Sequence, residues 1–283
     1  MEFLKILQCC RTDDSSLDLR TACWRGSGQD LSPEDLEKLE SHFDRATGFH
    51  KKGDLSNAKR EYEECLVLDP DHVDSLYRTG LILLHEEDMD GAKRKFEKVI
   101  QVDESHAQAH YDLGFINDTR QDYESALFFY TKSSQLDGSA FDTWINLGRM
   151  HCNVGNYKLA VQATETGIRL DPSSALVHYN LANIHLHFKQ FTLAVVAYSE
   201  ALKRDPEHAD SVFNLGIAQQ ELGQMEQAKA CYRRAAELAK SYNDDRLLDE
   251  AEKAEAAVLI LEGEEGLEGD GLAGADAAGG NPS

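Results

Sequence analysis

The chain has 283 residues, 41% of them apolar, enough for the buried core of a soluble protein of one or two domains. Its formal charge of −22 and pI near 4.8 repel polyanions, and no basic patch compensates, so nucleic acid is not expected as a partner. Six cysteines, at 9, 10, 23, 65, 152 and 231, show neither disulfide-framework nor Cys-x-x-Cys spacing and read as reduced thiols.

In chain order, the opening Met1-Glu-Phe-Leu-Lys-Ile-Leu is too short for a signal peptide or for a membrane span of about 20 residues, so a cytoplasmic location is expected. Residues 1–31 have no sustained period and read as a disordered extension, with Trp24 placed to dock on the first helices after it. Cys9-Cys10 invites reversible acylation, and membrane association is expected only through it; otherwise the two are surface thiols. Ser32-Pro33-Glu34-Asp35 is an N-cap followed by proline in the first turn and carboxylates at the positive end of the dipole, so a helix starts near Pro33.

Alanine then recurs at 58, 92, 126, 160, 194 and 228, always 34 residues on. Four residues after each comes Tyr62, Phe96, Tyr130, Thr164, Tyr198 or Tyr232, which together mark one face of a second helix. Upstream, Thr79-Gly80, Leu113-Gly114, Leu147-Gly148, Leu181-Ala182 and Leu215-Gly216 mark a first helix, whose small residue permits close packing. Stop signals recur in phase at Asp69-Pro70, Asp103-Glu104, Asp137-Gly138, Asp171-Pro172 and Asp205-Pro206.

This register closely resembles the tetratricopeptide-repeat family. The resemblance implies an all-α fold, a right-handed superhelix or α-solenoid of six helix-turn-helix repeats. They fall at about 39–72, 73–106, 107–140, 141–174, 175–208 and 209–242, within a repeat region of 32–242. Three units depart from the pattern. The first has Arg45-Ala46 for leucine-glycine, the third has Asn117, and the fourth, with Thr164 and Gly167, is expected to be the least stable. After the last repeat, Leu247, Ala251, Ala254, Val258 and Leu261 recur at helical spacing, which reads as a capping helix over 243–262. Residues 263–283 are acidic, Gly- and Ala-rich, without an aromatic or basic side chain, and are expected to be disordered.

The family binds extended peptides or partner helices on a concave surface built from the first helices, which makes this chain a non-catalytic adaptor or scaffold by resemblance. At one phase of that surface stand Asn146, Asn180 and Asn214. An amide offers both donor and acceptor, so such a ladder suits a peptide backbone. It resembles the asparagine ladder of the O-linked N-acetylglucosamine transferase superhelix and of peroxisomal import receptors. Asn183 extends the strip and Arg149 is placed to pair with an acidic ligand group. The first half carries Asp44, Arg78 and Asp112 at that phase, with Asp74, Asp118 and Asp142 nearby, so a basic ligand is expected there.

The two-carboxylate clamp of related co-chaperones is not expected, because Phe43, Tyr77, Tyr111, Ile145, Tyr179 and Phe213 stand where its lysines would. No cofactor, metal site or catalytic group is expected: His178 and His185 fall at packing positions, and neither they nor His187 have a third ligand in phase. The partner and the oligomeric state are not written in the sequence.

Overall fold

The computed structural model describes the backbone of residues 31–272 and the side chains of residues 31–260. The extension with Cys9, Cys10 and Trp24 therefore lies outside the described residues, as do residues 273–283. Among the described residues there are thirteen helices and no strand. The chain divides after Gly138 into two compact units.

The first unit holds α1 (Pro33–Lys51), α2 (Leu55–Leu68), α3 (Val73–His85), α4 (Met89–Val102), α5 (Ala107–Thr119) and α6 (Tyr123–Leu136). The second holds α7 (Phe141–Asn153), α8 (Tyr157–Leu170), α9 (Ala175–His187), α10 (Phe191–Arg204), α11 (Ala209–Glu221), α12 (Met225–Tyr242) and α13 (Asp245–Leu272). Within each unit, odd and even helices pack as consecutive pairs, and α13 packs on α12.

Each pair turns on one left-handed residue. Gly53, Gly155 and Gly223 take it at φ 72–79°, whereas Glu87, Gln121 and Lys189 carry a side chain at φ 57–62°. The pairs close tightly: a Cβ on Gly80 would stand 2.6 Å from the Phe96 ring, and one on Gly216 2.7 Å from the Tyr232 ring. Those rings, with Tyr62, Tyr130 and Tyr198, are the largest fully buried side chains. The fourth pair has instead Thr164, whose hydroxyl donates to the Ala160 carbonyl at 2.9 Å. In the first pair Arg45 meets the buried Glu61 at 2.9 Å, beside His42 at 2.8 Å, tying α1 to α2.

The stop signals act as C-caps. Asp69, Asp103, Asp171 and Asp205 each accept from the backbone N–H two residues on, at 3.0–3.1 Å, and so turn the chain into the next first helix. Ser32 caps α1 through the Asp35 N–H at 3.2 Å. The last helix buries Leu247, Ala251 and Val258. It runs to Leu272, ten residues past the expected boundary at 262, so the disorder expected from Gly263 onward does not start there. Leucines and glutamates between the glycines of that stretch supply helical preference against a cost of about 1 kcal/mol per glycine.

Candidate peptide-binding faces

The first helices present α1, α3 and α5 in one unit and α7, α9 and α11 in the other, and the sequence-predicted residues fall on them. In the second unit Asn183 and Asn214 are brought together: Asn214 Nδ2 donates to Asn183 Oδ1 at 3.2 Å. The same oxygen accepts from the Tyr198 hydroxyl at 2.5 Å. Tyr179 stands in hydrogen-bonding reach of both amides, its own hydroxyl pushed up in pKa by burial. Arg149 Nη2 donates to Asn146 Oδ1 at 3.4 Å. Asn180 is half-buried and Asp142 is exposed at the start of α7. The amides therefore do not stand as three equivalent rungs, because Asn214 and Asn146 already bond neighbours of their own.

The first unit differs more sharply from the acidic face expected of it. Asp112 is only 9% exposed, and its Oδ2 has no partner. Burial pushes the carboxyl up to about 7, against the opposing effect of the Tyr77 hydroxyl. Asp74 is half-buried in the first turn of α3. Arg78 places its guanidinium 5.9 Å from the Phe43 ring centroid, a cation–π contact.

Sequence reasoning missed the histidine caps. His72, His106 and His208 stand at the N-termini of α3, α5 and α11, where each Nδ1 accepts from the backbone N–H three residues on, at 3.1–3.3 Å. Phe43, Tyr77 and Tyr179 of the preceding first helices pack on these rings at 5.3, 4.7 and 4.7 Å between centroids. The aromatic residues at the clamp positions are thus spent on joining one pair to the next. The signal was present, since the three histidines share one phase of the 34-residue period. His185 bonds the Tyr157 hydroxyl at 3.0 Å, and His178 is buried with its pKa lowered chiefly by desolvation. Among the described residues no group of three metal-capable side chains forms.

Two family models, each described as "Tetratricopeptide repeat", match this chain, one over residues 43–93 and 145–209 and the other over residues 185–247. Together they span more than half of it. The chain belongs to the tetratricopeptide-repeat family. No curated protein matches it. Among solved structures, the tetratricopeptide-repeat protein YrrB, whose description mentions an unusual peptide-binding site, is 18% identical. That match covers 68% of this chain and 97% of YrrB with a TM-score of 0.57. The pilF protein of Pseudomonas aeruginosa is 17% identical over 78% of this chain and 99% of its own, with a TM-score of 0.61. A tetratricopeptide-repeat protein from Parabacteroides merdae is 13% identical over 78% and 93%, also with a TM-score of 0.61. At these identities the likeness is one of fold alone, an all-α array of helical repeats. Among the described residues, no helix of this tetratricopeptide-repeat protein is long and apolar enough to cross a membrane.

Proposed function

We propose that this protein is a non-catalytic adaptor that holds an extended peptide or a partner helix against its first helices. The observation that carries this reading is the run of amides on α7, α9 and α11, Asn146, Asn180, Asn183 and Asn214, beside Arg149. Polar side chains at interior helix positions cost about half a kcal/mol each relative to alanine, which a binding role offsets. That YrrB, of the same fold, is described with a peptide-binding site supports the reading. Asp44 and Asp74 on the first helices of the first unit would favour a basic ligand segment there, and acylation at Cys9 and Cys10 would add a membrane contact. The free thiols of Cys65, Cys152 and Cys231, all held protonated by burial, suit a reducing, cytoplasmic compartment.

Asn180→Ala tests the face most directly. Measured against an immobilised mixture of capped random peptides about nine residues long, the full chain should bind and the variant should bind roughly two- to tenfold more weakly. Its melting temperature should be unchanged or higher. Equal binding by the variant, or no binding by the parent chain, refutes the adaptor face.

A further inference from the structure

We infer that Lys95, on α4, is a nucleophilic lysine and a modification site, acylated at Nζ by a small acyl phosphate. Lys95 shares one phase of the 34-residue period with Glu61, Phe129, Ala163, Ala197 and Cys231. Side chains at that phase pack: Ala163 and Ala197 are buried, and Phe129 and Cys231 lie against core clusters. A charge at such a phase needs a partner. One repeat earlier Glu61 has two, Arg45 at 2.9 Å and His42 at 2.8 Å. Lys95 has none of this kind.

The other two lysines of α4 are paired, Lys93 with Glu97 at 3.9 Å and Lys98 with Asp71 at 2.6 Å. Among the described residues Lys95 Nζ makes no hydrogen bond and no ion pair, although the residue is half-buried. Burial lowers the pKa of its amine, Glu63 opposes that shift, and the cations Arg94 and Lys59 deepen it. Lys59 is itself paired with Glu86 at 2.5 Å, whereas the exposed Arg94 has no counter-ion among the described residues. More of Lys95 is therefore the neutral amine, the form that attacks a carbonyl carbon. The unpaired guanidinium beside it suits the phosphate of the donor. In the step, a bond forms between Nζ and the acyl carbon as the bond from that carbon to the phosphate oxygen breaks. Inorganic phosphate leaves with the electron pair, and the surplus amine proton passes to water. The product is an uncharged amide, better suited than an ammonium to a packing phase.

Acetyl phosphate is the probe, used on the full chain near neutral pH, with initial rates read at each lysine by mass spectrometry. Lys132 and Lys158, exposed on α6 and α8, are the references. Lys95 should acetylate about threefold or more faster than either, because a lowered pKa exposes more of the free amine. A rate equal to theirs or slower, or no acetylation of Lys95 at all, overturns the inference. In urea, with the chain unfolded, the lead should disappear. A lead that persists there comes from the adjoining basic residues of the sequence alone and also overturns it. Arg94→Gln removes a cation that both depresses the amine and draws the donor. In the folded variant Lys95 should react about twofold or more slowly while Lys132 and Lys158 keep their rates. An unchanged Lys95 rate, or an equal fall at all three lysines, overturns the assignment of this cluster as the site.

Discussion

At the scale of single residues, the same repeat phase carries different chemistry because burial differs. Asn180 and Asp112 occupy equivalent positions, yet Asp112 is buried with its Oδ2 unpartnered. Its pKa rises from 3.8 to about 7. Below about pH 4 the carboxyl is protonated in both folded and unfolded chains and contributes no pH dependence. Between pH 4 and 7 the unfolded chain gives up the proton and the folded one keeps it, so stability falls as pH rises, by up to about 4 kcal/mol. Above pH 7 the penalty is constant. Asp112→Asn should remove that slope and leave the protein more stable than the parent at pH 7.5. Denaturant melts of both proteins at pH 4.5 and 7.5 measure it, and parallel pH slopes would refute the assignment. The alanine-aromatic register was legible in the sequence at this scale, but the burial of Asp112 was not. Repeats two periods away on either side write the same phase with exposed Asp44 and half-buried Asn180.

At the scale of elements, the first helices begin on different caps. His72 and His106 cap α3 and α5 through an unprotonated Nδ1, and burial lowers both pKa values against the pull of Asp74 and nearby carboxylates. A depressed folded pKa means that the stabilisation is complete above the unfolded value of about 6.5 and is lost as pH falls through it. Protonation also sets a cation at the positive end of the helix dipole. His106→Asn supplies a cap that does not titrate. Between pH 7 and 5 the variant should lose about 1 kcal/mol less stability than the parent, by thermal melts at the two pH values. An equal loss would mean that the cap is not the acid-sensitive contact. The helices themselves were legible from period alone. The Ser32 cap was legible as well, whereas the histidine caps showed only as a shared phase of the period, because that phase does not reveal that each ring is held against a neighbour such as Tyr77.

At the scale of the whole molecule, α13 covers apolar surface on α12, and its Leu247, Ala251 and Val258 are buried with Tyr232 and Ala235. We propose that it serves as the terminal cap of the repeat array. Ending the chain after Asn243 should therefore lower the melting temperature by several degrees, whereas ending it after Leu272 should leave it unchanged. Differential scanning calorimetry of both truncations decides it, and equal melting temperatures would sink the capping role. The sequence by itself determined the fold class, the 34-residue period, the close glycine–aromatic packing and the protein-interaction character. The first three follow from which residues recur and at what spacing, because helix formation and pair packing are local enough to be written there, and the protein-interaction character is what the resemblance of that register to the family implies. Tertiary structure alone decided which polar residues of one phase stay available. Asn214 and Asn183 meet across two first helices, Tyr198 holds their shared oxygen, and Asp112 is shut away. Hydrogen bonding and desolvation depend on neighbours 15 to 31 residues distant, and no spacing rule carries that information.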